Sequence, residues 1–163
     1  MKILCAIGLR GSPELIYRIA EINGTQAELI LLHVIDSRPH HELDEFLRAQ
    51  PWSRPRTQNE VDELLSVEQA AGHAAIDEAI EAAKTAGFQV GSAKIARGKP
   101  EQVIVATASE QHADLIAIRA REGAEGRPHI GPASVGHTAR FVLDHAPCDV
   151  LLLREIEPAP RAD

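Results

Sequence analysis

The feature that most constrains the fold is an alternation of short, continuously apolar segments with segments whose apolar residues recur at helical spacing. Apolar runs of five to nine residues are typical of buried strands, whereas a 3.6-residue period is typical of helices packed on one face. Proline and serine at helix starts and glycine at helix ends mark the boundaries. We therefore predict strands at residues 3–7, 27–35, 88–96, 114–118 and 149–156, and helices at residues 12–23, 60–86, 100–107 and 135–145.

The order of these elements predicts an α/β fold with one parallel, doubly wound sheet and helices on both faces. Aromatic residues make up only 3% of the chain, so Val, Ile, Leu and Ala must form the core. The third strand, FQVGSAKIA at residues 88–96, is the most polar and should lie at a solvated edge. A chain of 163 residues fits one domain, which we place at residues 1–156, followed by a flexible tail at residues 157–163.

Charge and composition exclude several classes of protein. The net charge of −7 argues against binding to nucleic acids or anionic membranes. Cys5 and Cys148 lie in or beside apolar runs without metal-ligand spacing, so we expect reduced thiols and no metal site. The N-terminal run reaches Gly8 and Arg10 too soon for a signal peptide or a membrane span. We expect a cytoplasmic protein.

Four segments carry a resemblance to a known family. The most specific pieces are LHVID at residues 32–36, the G-x-P turn at Gly98 to Pro100, ADLI at 113–116 and HAPCDVLLL at 145–153. In this order they resemble the universal stress protein family over about residues 2–155. The resemblance implies a five-stranded sheet in the order 3-2-1-4-5, like that of adenine nucleotide alpha hydrolases, and usually a dimer. Many members of the family bind ATP, and others lack the ligands and do not.

That strand order predicts where a ligand would bind. The order reverses between strands 1 and 4, and ligands of open α/β sheets bind beyond the carboxyl ends of the strands at such a point. The loops at this point are residues 8–12 and 119–134. The second loop contains the glycine-rich stretch REGAEGRPHIGPASVGH at residues 121–137.

The resemblance implies a nucleotide site that departs from the family pattern. Gly123, Gly126 and Gly136 keep the family's G-x2-G-x9-G spacing, but His137 stands where the pattern has a hydroxyl residue. The pattern also begins four residues late, and Gly8 occupies the position of an acidic residue that faces the nucleoside. ATP or AMP is the implied cofactor, with no metal other than a nucleotide-bound Mg. The resemblance also assigns Ala6, Val34 and Thr138 to this site.

Arginine offers a second way of binding a phosphate at the same place. Arg10, Arg119 and Arg121 bring positive charge to the mouth of an acidic protein, together with Arg127 and His129. Guanidinium groups bind phosphate bidentately, whereas the usual loop relies on backbone amides. The alternative is that these arginines are solvated and paired with Glu122 and Glu125. The sequence allows all three arrangements.

Three functions are consistent with these features. The leading interpretation is a non-enzymatic stress-response or signalling module whose crevice binds a nucleotide or another phosphate ligand. The second is an enzyme that slowly hydrolyses ATP or handles another adenylate, although we predict no catalytic residues because His137 has no evident nucleophile partner. The third is a ligand-free adaptor for an unidentified client protein, with its crevice filled by residues 36–59. The resemblance also places the apolar fifth strand at the other edge of the sheet, which in each case predicts a homodimer through residues 149–156.

Overall fold

The computed structural model describes residues 1–10, 12–38, 45, 58–120 and 134–154. Within these residues, five strands alternate with four helices, and every predicted element is present with its ends shifted by a few residues. The elements are β1 (Lys2–Ile7), α1 (Ser12–Asn23), β2 (Glu28–Asp36), α2 (Gln58–Ala86), β3 (Gln89–Gly98), α3 (Pro100–Glu110), β4 (Leu115–Arg119), α4 (His137–His145) and β5 (Asp149–Leu153).

The strands form one parallel sheet in the order β3-β2-β1-β4-β5, which confirms the predicted topology. The apolar runs of β1, β2 and β4 occupy the centre, where Leu4, Leu31 and Ile116 have no solvent exposure. The polar strand β3 lies at one edge, as its composition predicted, because its outward side chains remain hydrated there. The other edge is β5, whose predicted pairing with a second chain stays a prediction.

Two hydrophobic cores, one on each face of the sheet, hold the helices in place. Side chains alternate along β1, so that Ile3 and Cys5 face α1 and α2, whereas Leu4 faces α3 and α4. The helical partners are Leu15, Ile16 and Ile19 of α1 and Ala75, Ile76 and Ala79 of α2 on one face, and Ile104 and Ala108 of α3 and Ala139 and Val142 of α4 on the other. The helices therefore cover both faces, as predicted.

The start of α4 corrects the sequence prediction. The helix begins at His137 instead of residue 135, because its N-cap residue Gly136 has φ +89° and ψ 162°, outside the helical region. Ser134, two residues before this N-cap, accepts a hydrogen bond from the Gly136 N–H through Oγ at 3.3 Å. The hydroxyl thus stabilises the turn before the helix.

The two cysteines are both free thiols, but they differ in exposure. Cys5 is fully buried in β1, and its burial raises the pKa of the thiol to about 12. Cys148 is partly exposed; its pKa is raised first by burial and then by the nearby carboxylates of Asp149 and Asp114. In the part of the chain that the structure describes, no helix has the length and hydrophobicity needed to cross a membrane. The predicted tail at residues 157–163 lies outside the described residues.

Candidate functional site

A crevice of about 930 Å³ opens at the carboxyl ends of the central strands. It lies at the point predicted from the strand order, because the segment that follows β1 leads to α1 on one face and the segment that follows β4 leads to α4 on the other. Its walls come from the ends of β1, β2 and β4, from the starts of α3 and α4, and from one face of α2. The volume is at the upper end of the roughly 300–1,000 Å³ found for small-molecule sites.

The structure brings together every predicted site residue that it describes. The residues that line the crevice from the predicted set are Ala6, Gly8, Arg10, Val34, Arg119, Gly136, His137 and Thr138. Arg121, Gly123 and Gly126 lie outside the described residues, as do Arg127 and His129. The sequence predicted that a phosphate binds either to backbone amides of the glycines or to the arginines. Of the residues involved, the structure describes Arg10, Arg119 and the start of α4.

Positive charge at the mouth of the crevice comes from Arg10, from Arg119 and from the start of α4. Arg119, at the end of β4, donates a hydrogen bond from Nη1 to the backbone carbonyl of Arg10 at 3.3 Å. The first amides of α4, at His137 and Thr138, add the partial positive charge of a helix N-terminus. An anion in this part of the crevice would meet a guanidinium group and backbone N–H donors together.

The remainder of the crevice is largely apolar. Its floor includes Leu32 and Val34 from the end of β2 and Ile118 from the end of β4. Leu9 and Val67 lie on its walls with 62% and 61% of their surface exposed, so they add apolar surface that faces the open crevice. An apolar surface next to a small number of polar groups is the arrangement typical of sites for small organic ligands.

One cluster of charged residues at the crevice was missed from the sequence. Arg38 donates to both carboxylate oxygens of Asp36, with a shortest distance of 2.7 Å from Nη2, and donates from Nη1 to Oε1 of Glu101 at 3.2 Å. His137 Nε2 lies 3.4 Å from the same Oε1. This cluster joins the end of β2 to the starts of α3 and α4.

Glu101 is the buried member of this cluster. Its side chain is only 5% exposed, and Oε2 is the one fully buried side-chain oxygen or nitrogen without a hydrogen-bond partner in the described residues. As the second residue of α3, the carboxylate gains from the partial positive charge at the helix N-terminus. The sequence signal was Arg38, shortly after the predicted second strand, and Glu101, directly after Pro100, but their pairing depends on the tertiary fold.

His33 is a second residue that the sequence analysis missed. It lies on β2 beside Ile7 of β1, is 6% exposed, and lines the crevice. It lies in the LHVID segment, where its polar ring interrupts an apolar strand. That interruption was the feature of the sequence that could have indicated a functional residue. In the described residues, no group of three or more His, Cys, Asp or Glu side chains is placed to hold a metal ion.

Comparison with known proteins gives the same fold and a family. The model of the universal stress protein family matches residues 1–154. The universal stress protein UspA from Lactobacillus plantarum superimposes with a TM-score of 0.66 at 26% identity, covering 94% of this chain and 97% of that chain. A comparison with curated proteins found no match.

Two further solved structures share the fold at lower identity. A universal stress protein family protein from Arabidopsis thaliana with AMP bound has a TM-score of 0.60 and 16% identity, covering 96% of this chain and 92% of that chain. A universal stress protein in complex with cAMP has a TM-score of 0.59 and 19% identity, covering 94% and 96%. With the family match over nearly the whole chain, the predicted resemblance is confirmed: this protein belongs to the universal stress protein family.

Proposed function

We propose that this family member is a stress-response or signalling module that binds an adenine nucleotide, AMP or a close relative, in the crevice. The observation that carries the proposal is the juxtaposition of Arg119 and the N-terminus of α4 with an apolar floor. A nucleoside monophosphate has the same two halves, a phosphate and a flat, largely apolar base. The AMP and cAMP complexes of two proteins with this fold support the choice of adenine nucleotides.

The phosphate would bind where positive charge is concentrated. Arg119 and the backbone N–H groups of His137 and Thr138 supply charge-assisted hydrogen bonds from two different elements. The base would lie on Val34 and Ile118, where apolar contact replaces water. This assignment places one phosphate, so AMP and cAMP are the first ligands to test, and ATP is the next.

Calorimetric titration of the purified protein with AMP, cAMP, ATP and adenosine tests the proposal. Arg119→Ala should weaken AMP binding by about 10- to 100-fold, because a hydrogen bond to a charged group contributes about 1.5–3 kcal/mol. Adenosine lacks the phosphate, so its affinity should be the same in wild type and variant. Arg18→Ala is the matched control, because Arg18 is an exposed arginine on α1 that pairs with Glu21 away from the crevice.

The outcome that overturns the proposal is a wild-type protein that binds none of these nucleotides at millimolar concentration. Equal losses of AMP and adenosine affinity in Arg119→Ala would also contradict the assigned phosphate position. Arg119 also holds the Arg10 carbonyl, so the thermal melting of the variant should be compared with that of wild type. A variant that melts normally and loses only the phosphate-bearing ligands supports the proposal.

A slow reaction on a bound adenylate is the second candidate function. The observation in its favour is the pairing of the exposed imidazole of His137 with the buried carboxylate of Glu101 at 3.4 Å. A carboxylate that orients an imidazole is a recurring arrangement for a general base. Phosphate release from ATP that disappears in His137→Ala would support this function. The same rate in wild type and variant would contradict it.

A further inference from the structure

The imidazole of His33 has one nitrogen with a defined structural role. Nδ1 lies 2.9 Å from the carbonyl oxygen of Ile7, the residue paired with His33 across the β1–β2 ladder. A carbonyl oxygen can only accept, so Nδ1 carries the proton and donates. In the neutral ring, Nε2 is then a hydrogen-bond acceptor. The bond fixes both the tautomer and the direction of the ring at the floor of the crevice.

The other nitrogen, Nε2, has no hydrogen-bond partner in the part of the chain that the structure describes. It is also not among the fully enclosed unpaired atoms, a set that holds only Glu101 Oε2 in the described residues. An atom that is neither paired nor enclosed keeps contact with open space, and the open space that His33 borders is the crevice. His33 therefore presents an unpaired acceptor from a ring that is more than nine-tenths buried.

Gly72 of α2 packs closely against the edge of the ring that carries this acceptor. A Cβ atom at position 72 would lie 2.7 Å from Cδ2 and 3.2 Å from Nε2 of His33. Glycine in the middle of a helix costs about 1 kcal/mol relative to alanine. Its neighbours Glu68 and Ala71 line the crevice on the same helix. The glycine therefore lets α2 approach this edge of the imidazole closely, and a Cβ atom at position 72 would press against Cδ2 and Nε2.

We infer that His33 Nε2 accepts a hydrogen bond from a donor group of the crevice ligand and so determines which nucleotide the site prefers. This inference rests on the proposed function. An adenine nucleotide carries two kinds of donor, the exocyclic amino group of the base and the hydroxyl groups of the sugar, and either can meet an imidazole acceptor. A ligand that fails to supply the donor leaves a desolvated nitrogen unpaired, which is how buried polar groups discriminate between related ligands.

Two substitutions separate this role from a purely structural one. The side-chain amide of His33→Asn reaches the position of Nδ1, so it can donate to Ile7 but offers nothing at the position of Nε2. The longer side chain of His33→Gln reaches the position of Nε2 and loses the bond to Ile7. If His33 is only structural, the Asn variant should be more stable than the Gln variant. If His33 binds the ligand, the Gln variant should keep more of the AMP affinity than the Asn variant.

The experiment measures the affinities of wild type and both variants for four nucleotides, which are AMP, purine riboside 5′-monophosphate, 2′-deoxy-AMP and 3′-deoxy-AMP. Each analogue lacks one donor of AMP. His33→Asn should bind AMP about tenfold more weakly than wild type and should bind the analogue that lacks the contacted donor with less than twofold change. His33→Gln should retain most of the AMP affinity. The insensitive analogue then identifies the donor as the amino group or a hydroxyl.

The inference is overturned if His33→Asn binds AMP as tightly as wild type does, or if its affinity for all four nucleotides falls by the same factor. Both results leave the proposed function intact, because wild type still binds AMP. If wild type binds no nucleotide, the proposed function fails and this inference with it. If the Asn variant does not fold, Gly72→Ala replaces it, because the added methyl group crowds Nε2. This variant should also bind AMP more weakly and leave the affinity for the analogue without the contacted donor nearly unchanged.

Discussion

Gly72→Ala tests how closely α2 packs against the imidazole that lines the crevice. Gly72 lies near the middle of a 29-residue helix, where alanine would ordinarily be favoured by about 1 kcal/mol. The new Cβ would, however, lie 2.7 Å from Cδ2 of His33, closer than carbon atoms approach in folded proteins. The ring cannot rotate away without breaking its hydrogen bond to the Ile7 carbonyl.

The two effects have opposite signs, and their sizes decide the outcome. Overpacking in a filled core costs about 1–3 kcal/mol, because side chains and backbone must shift. Subtracting the gain of about 1 kcal/mol in helix propensity leaves a net loss near 1 kcal/mol in the free energy of unfolding. In a domain of this size, that loss lowers the melting temperature by about 2–4 °C. Gly72→Ala should therefore destabilise the protein although it removes a glycine from a helix.

Urea unfolding followed by circular dichroism measures this difference, with two controls. Ala74→Gly, at an exposed position of the same helix, measures the propensity term alone and should cost about 1 kcal/mol. In the background of His33→Ala the clash partner is absent, so Gly72→Ala should become neutral or stabilising. A Gly72→Ala protein that is more stable than wild type in the native background would refute the reasoning, since helix propensity would then outweigh the contact.

Three further predictions concern the cluster, the thiols and the sheet edge. Arg38→Leu should lower the free energy of unfolding in urea by about 3 kcal/mol, because it removes the guanidinium group that pairs with the buried Glu101 carboxylate. Replacing Glu101 by Leu as well should recover most of the loss. In the folded protein at pH 8, iodoacetamide should label Cys148 slowly and leave Cys5 unlabelled, since both pKa values are raised and thiolate forms only as pH increases; rapid labelling of Cys5 by mass spectrometry would contradict this. Leu152→Lys should shift the protein from dimer to monomer or aggregate by light scattering, and an unaltered dimer would rule out β5 as the dimer interface.

The fold was predictable because its signals are local. Continuous apolar runs, helical periodicity and the prolines and glycines between them are properties of neighbouring residues, and they determine the type and order of every element. The polarity of residues 88–96 indicated an edge strand for the same reason, since the amount of apolar surface in a segment sets how deeply it can be buried. The predicted start of α4 was wrong because the residue type of Gly136 does not reveal its unusual backbone angles. Glycine adopts helical and non-helical conformations alike.

The location of the crevice was also predictable, because the family resemblance implies the strand order and that order implies a crevice beyond the ends of strands 1 and 4. The contacts within it were decided only by the tertiary structure. Glu101 and Arg38 are 63 residues apart, and the approach of α2 to His33 at Gly72 depends on how a helix packs across two strands. From the sequence, a charged residue at a strand end is predicted to be solvated, because its distant partner is not known. Local patterns carry no information on such pairs, because their energy arises from burial and proximity that exist only after the chain has folded.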